Sequence, residues 1–211
     1  MKTDSNLGIE INELLISKGV ETPMFIQQTA AKETIAHHFS KIMEAIGLDL
    51  NDDSLSGTPD RIAKMYIDEI FSGLNYNQFP KCTAVENKMK YDEMIVEKNI
   101  TVSSTCEHHF VVIDGFAKVG YIPNKKILGL SKLNRIVDFF AKRPQIQERL
   151  CEQIYHALSH ILETEDVAVE ISAVHHCVKS RGIKDTNSFT ITRKLGGVFR
   201  EKAATRNEFL N

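Results

Sequence analysis

No stretch of this 211-residue chain approaches the roughly 18 consecutive apolar residues that a membrane span requires. Its opening, MKTDSNLGIEINELL, sets acids among the apolar positions and shows no signal-peptide core or small-residue cleavage site. No membrane partner is expected, and the reading is a soluble, cytoplasmic protein. Internal repeats and low-complexity tracts are missing too. So is any recognition-helix or ribonucleoprotein motif, which argues against a nucleic-acid partner. Cysteine is scarce: Cys82, Cys106, Cys151 and Cys177 are widely scattered and do not look like a disulfide framework. In a reducing compartment, cysteines beside histidines point to metal ligation or nucleophilic chemistry.

The hydrophobic share of 42% and the charged share of 26% are those of an ordinary globular chain, with enough apolar material for a core. The length suits one domain with an appendage. A net charge of -2 conceals an asymmetry. Residues 1–57 carry four basic against nine acidic side chains, whereas 118–149 and 179–206 each carry eight basic against two acidic. Such runs are ordinarily solvated faces; beside reactive chemistry they become a candidate anion site.

The first third reads as helical. Ile9, Ile11, Leu14 and Leu15 predict a short first helix, and a second is expected from Thr29 to about Ile46, ending at Gly47. In GTPDRIAKMYIDEIFSG, Thr58 reads as the N-cap, Pro59 as the first helical residue and Gly73 as the stop. Ile62, Met65, Tyr66 and Ile70 then share one face. From Met94 the pattern becomes β. Residues 94–104 and 110–122 are rich in β-branched residues, and Asp114-Gly115 predicts a hairpin turn. A helix is expected near Ser131 and another opening at Pro144, with Ile146, Leu150, Ile154, Leu158 and Ile161 as an apolar stripe. Strands follow at Val167–Cys177 and Asn187–Arg193, ahead of a glycine-punctuated tail. This order gives an α+β domain with an antiparallel sheet and a helical N-terminal extension.

The most informative stretch is Thr105-Cys106-Glu107-His108-His109. Cys-x-x-His sets a thiolate and an imidazole three residues apart, within reach of one ion across a tight turn. Its counterpart is Val174-His175-His176-Cys177, where strand alternation would put His175 and Cys177 on one face and His176 on the other. Cys106, His109 and Cys177 make three ligands, the count of a catalytic zinc site that keeps a fourth position for water. His108, His175 and His176 are each able to close the site, so spacing leaves a structural role open. Sulfur donors favour zinc over magnesium or calcium. His108 and His175 are also candidates for proton transfer, since imidazole titrates near neutrality. His37, His38, His156 and His160 fall on helical stretches with surface or packing roles. Cys82 reads as a loop residue and Cys151 as a helix-packing one.

With these segments in place, the sequence resembles the GTP cyclohydrolase I family. TPDRIAKMY (58–66), STCEHHF (104–110), GYIP (120–123), GLSKLNRIVDFFAKRPQIQERL (129–150), AVHHCVKSRGI (173–183) and TRNEFL (205–210) carry the resemblance. It implies a hydrolase that opens the guanine imidazole ring of GTP at C8, releasing formate and giving 7,8-dihydroneopterin triphosphate, the entry to reduced pterins and folate. One zinc ion per subunit is implied, on Cys106, His109 and Cys177. His108, His175 and Ser131 match the catalytic group. Glu148, with Gln147 beside it, matches the residue that anchors the guanine edge. Ser131, Lys132, Arg135 and Arg181 match the group around ribose and triphosphate, with Arg61 and Lys64 supplied by a neighbouring subunit.

The implied architecture is the tunnelling fold, a four-stranded antiparallel sheet with two helices on one face. Sheets would join across subunits into a barrel, in a homodecamer built as a dimer of pentamers. Residues 91–211 would form the catalytic domain and residues 1–90 its helical extension. Elementary chemistry agrees at two points. A triphosphate brings about four negative charges toward the basic stretches. A carboxylate at Glu148 can accept from both N1 and the 2-amino group of guanine, a donor pair that adenine lacks. Three other readings compete with this one. A fold-sharing nitrile reductase is not expected to carry the Cys106/His109/Cys177 trio. A zinc-stapled nucleic-acid module would need a closed four-ligand site. A silent assembly subunit would not be expected to keep every site residue.

Overall fold

The computed structural model describes residues 2–24 and 32–211. The chain divides into two compact units, residues 1–22 with 73–211, and residues 23–72. The larger unit opens with α1 (Ser5–Ser17), capped by the Asp4 carboxylate, which accepts from the Leu7 N–H at 3.1 Å. Ile11 and Leu15, one helical turn apart, are fully buried, while Ile9 is 48% exposed.

In the smaller unit α2 (Lys32–Ala45) and α3 (Thr58–Met65) pack together, with Ala36, Met43, Pro59 and Ala63 buried. The expected start of the second helix, from Thr29, lies outside the described residues. Gly57, not Thr58, is the N-cap of α3, and the Thr58 hydroxyl instead accepts from the Arg61 guanidinium at 2.7 Å. The helix then widens into a π turn over Tyr66–Ile70. Ile62, Tyr66 and Ile70 are half-buried along this stretch, while Met65 is 37% exposed. Tyr66 stacks on Phe71 with ring centres 5.1 Å apart. Gly73 lies past the π turn in a 3-10 turn, Ser72–Leu74.

The rest of the larger unit is built on strands. β1 (Ala84–Glu86) pairs with β4 (Lys126–Leu128). A second sheet holds β2 (Ile95–Cys106), β3 (Val112–Tyr121), β5 (Pro144–Gln145), β6 (Val167–His175) and β7 (Thr190–Leu195) in the order β5-β2-β3-β6-β7. Four of these strands are antiparallel, as expected. The fifth, β5, is only two residues long and runs parallel to β2, setting Pro144 against Thr105 and Gln145 against Cys106. No helix opens at Pro144, contrary to the sequence expectation. Instead the Gln145 carbonyl accepts from Glu107 on the loop after β2, and α5 (Gln147–Leu162) starts later.

Asp114-Gly115 is not a hairpin turn. It lies inside β3, opposite Val102 and Ser103 on one side and Ala173 and Val174 on the other. The glycine serves close strand packing: a Cβ there would stand 2.1 Å from the Ser172 carbonyl oxygen. Residues 107–111 make the real β2–β3 connection.

α4 (Leu130–Ala141) and α5 pack on the sheet. Leu133, Ile136 and Phe140 from α4 and Leu150, Ile154 and Leu158 from α5 join Val102, Val119, Val169 and Ile171 in one core. Within α5 the predicted stripe is buried from Leu150 to Ile161, while Ile146 is the residue before the first turn. Val112, Phe116 and Ile191 on the strands remain 48%, 56% and 44% exposed. After β6 comes one helical turn, α6 (His176–Lys179), and the tail forms α7 (Gly197–Glu201) and α8 (Ala203–Leu210). Phe199 and Phe209 are fully buried and meet edge to face at 5.5 Å.

Arg143 heads the fully buried side chains by volume. Its guanidinium pairs with Glu21 at 3.0 Å, donates to the Tyr76 hydroxyl at 3.1 Å and to the Gly73 carbonyl, and lies 4.9–5.1 Å from the rings of Tyr76, Phe139 and Phe140. The Tyr76 hydroxyl donates to Glu21 in turn. Arg143→Met would leave the Glu21 carboxylate without its counter-charge and the Gly73 carbonyl without its side-chain donor, and is expected to cost about 3–5 kcal/mol. Urea unfolding measures this as a lower midpoint at unchanged slope. Glu21→Gln in the same chain should recover part of the loss. A loss below about 1 kcal/mol would contradict the account.

Candidate metal centre

Cys106 closes β2 and is 4% exposed. The chain then turns sharply: the Phe110 N–H donates to the Cys106 carbonyl at 2.9 Å, and the Cys106 N–H to the Val111 carbonyl at 2.8 Å. Phe110 takes a φ of 52°, which lets so short a link reverse direction. His108 and His109 are both exposed on this turn.

From the other side, the β6 ladder stops where His175 meets Ile113. Alternation along one strand does not align His175 with Cys177 as expected. The strand ends at His175, and Cys177 reaches the site from the first turn of α6. One ligand atom each from Cys106, His109 and Cys177 lies within 4.8 Å of the others. Tetrahedral zinc, with bonds of about 2.3 Å to sulfur and 2.0 Å to nitrogen, needs donors about 3.6–3.8 Å apart. The trio therefore surrounds a metal-sized space with about 1 Å of slack. Its chemistry fits as well. Burial and the neighbouring Cys106 push the Cys177 thiol above its usual range, a penalty that a cation between the sulfurs would reverse.

His175 stands beside this cluster in sequence and is tied down. Its Nε2 lies 2.7 Å from Oε1 of Gln147. Gln147 is 2% exposed, and its amide nitrogen donates to the carbonyls of Ile171 and Thr190, both at 2.9 Å. Flipping that amide would face its oxygen to two carbonyls, so Oε1 must point at His175. Nε2 then carries a proton, and Nδ1 is the nitrogen Gln147 leaves free. Burial lowers the His175 pKa, and the Glu148 charge opposes the shift. His108 Nδ1 lies 3.7 Å from Cys106 Sγ, and Arg181 donates to His109 Nε2 at 2.7 Å.

Glu148 is exposed in the first turn of α5. Ser131 is exposed and Lys132 and Arg135 are half-buried along the first turns of α4, a helix start with no acid in it. Arg61 and Lys64 are exposed on α3, in the smaller unit.

The family model described as GTP cyclohydrolase I matches residues 35–211 of this chain. The chain belongs to the GTP cyclohydrolase I family. Curated proteins named GTP cyclohydrolase 1 are similar almost end to end. That of Shewanella loihica is 56% identical over 210 residues, covering 98% of each chain. Those of Pectobacterium carotovorum and Klebsiella pneumoniae are each 55% identical, covering 100% of this chain and 97% of their own. A solved structure titled as the archaeosine synthase QueF-Like in the apo form covers 49% of this chain and 93% of its own, at 16% identity and a TM-score of 0.42.

For a GTP cyclohydrolase I family chain, ligand chemistry is legible from residue types, but the groups that hold the ligands are not. The resemblance sets Gln147 beside Glu148 at the guanine edge; its amide is engaged with backbone and with His175. Glu107 pairs with Arg149 directly beneath the loop, and Gln145 and Gln153 link behind them. Glu107 is visible in the sequence between two metal-type residues. A buried glutamine looks like a surface one until the fold is known.

Proposed function

We propose that this chain converts GTP to 7,8-dihydroneopterin triphosphate and formate, with one zinc ion per subunit held by Cys106, His109 and Cys177. The carrying observation is the convergence of two thiols and an imidazole on one point, in a chain of this family. Zinc held there would supply Lewis acidity and lower the pKa of water at the site to about 7. Glu148 accepts N1–H and the 2-amino group of guanine and so selects against adenine. His175, anchored at Nε2 by Gln147, handles the proton at purine N7 through its other nitrogen. His108 and Ser131 serve the later proton transfers. Ser131, Lys132, Arg135 and Arg181 hold ribose and triphosphate, joined by Arg61 and Lys64 from a neighbouring subunit. Two waters enter, in ring opening and in formate release, and one leaves as the pterin ring closes.

Assembly is part of this reading. The exposed Val112, Phe116 and Ile191 on the strands support sheets that join across subunits into the barrel of a tunnelling fold. We assign residues 91–211 as the catalytic domain, residues 1–90 as its extension, and the whole as a homodecamer in the cytoplasm. No helix among the described residues is long and apolar enough to cross a membrane.

Purified protein with GTP should release formate and, after oxidation, an equal amount of fluorescent neopterin. ATP should be turned over about 10⁴-fold less efficiently, because its purine leaves Glu148 unpaired. Zinc-loaded, assembled protein that yields neither product from GTP would overturn the proposal.

A further inference from the structure

The loop that carries His108 and His109 is held from beneath by a charged pair. Glu107 follows Cys106 directly, and its carboxylate accepts from the Arg149 guanidinium. The side chains are 27% and 11% exposed, so this is no solvated surface contact. Arg149, on α5, also donates from Nε to Gln145 Oε1 at 3.1 Å and from Nη2 to the Pro144 carbonyl at 3.3 Å. Gln145 is fully buried and donates to the Phe140 carbonyl at 2.9 Å and to Gln153 Oε1 at 2.7 Å. Gln153, fully buried too, donates to the Val20 carbonyl at 2.9 Å. The backbone adds a second tie, Glu107 N–H to the Gln145 carbonyl at 3.0 Å. Both the amide and the carboxylate of Glu107 are thus fastened to one segment rooted in the core.

We propose that Arg149 and Glu107 act as a clamp that pre-organises the 107–111 turn for metal binding. The proposal rests on the metal reading above. His108, His109 and Phe110 are exposed, so burial does not fix this turn. Left loose, the turn would have to be ordered when His109 binds an ion, at a cost to affinity. The clamp moves that ordering into folding. Arg149 and Glu107 are positioning residues, acting through Cys106 just before the turn and His109 within it.

Glu107→Gln and Arg149→Met test this in the full-length chain. Zinc affinity is measured by competition with a chromophoric chelator, and the melting temperature is measured on metal-stripped protein. Each substitution is expected to weaken zinc binding about 10- to 100-fold. The double variant should be no weaker than Arg149→Met alone, because Arg149→Met already removes the contact that Glu107→Gln weakens. Metal-stripped Glu107→Gln should melt within about 4 °C of the parent. A parent that binds zinc and variants that bind it within twofold would overturn the clamp. So would a larger drop in the melting temperature of metal-stripped Glu107→Gln, which would make the pair a general structural element. A parent that takes up no zinc would sink the metal reading itself, a result distinct from either.

Discussion

Cys177→Ser is expected to remove the metal and leave a folded, inactive chain. Serine has nearly the same shape, but its hydroxyl does not ionise near neutrality and is a poor match for zinc. The donor set then falls to one sulfur and one imidazole. Position 177 is the informative choice because Cys106 is packed in the core, whereas Cys177 is half-buried in a four-residue helical turn. Compared as metal-stripped proteins, parent and variant should therefore differ in stability by no more than about 1 kcal/mol. Zinc per chain should drop from one to nearly none against a micromolar chelator. Formate release should fall by about 10³-fold or more, since bulk water is left with a pKa near 15.7. Chelation of the parent should reproduce that loss, and added zinc should restore it. A variant that retains full zinc content would remove Cys177 from the ligand set.

His175→Ala should do the opposite, keeping zinc while turnover falls about 10²- to 10⁴-fold, the usual worth of a positioned proton-transfer group. KM for GTP should move little, because the proposed function gives the base and the phosphates to other side chains. Alanine leaves Gln147 Oε1 without its partner, which costs about 1–3 kcal/mol and clouds a single result. His175→Gln resolves this. Its amide nitrogen can take the place of Nε2 and donate to Gln147, but it transfers no proton at neutral pH. The glutamine variant should be as stable as the parent and as slow as alanine. Activity recovered by glutamine would mean that His175 only positions its surroundings, and unchanged formate release in His175→Ala would remove the role entirely.

These tests rest on features of unequal visibility in the sequence. Cys106, His109 and Cys177 stand out because thiols beside imidazoles announce metal chemistry in any conformation. The buried run from Leu150 to Ile161 is legible because helical spacing survives burial. Asp114-Gly115 misleads because turn propensity is local, whereas that glycine answers to β6, a strand more than fifty residues later. Cys177 comes within reach of Cys106 and His109 by a different geometry from the one expected, a helical turn in place of a strand pleat. Pro144 looks like a helix start because proline suits both a first helical turn and an extended segment. Only the pairing with Thr105 decides between them.

That pairing changes what kind of segment joins α4 to α5. Connectors between helices ordinarily accept insertions and deletions with little harm. Here the connector contains β5, aligned residue for residue with Thr105 and Cys106. One added residue before Pro144 would slip the register, and a one-residue slip turns each side chain to the opposite face. Gln145 would swing out of the core, and its carbonyl would leave the Glu107 amide. In residues 142–146 the length of the chain is thus under as tight a constraint as its composition.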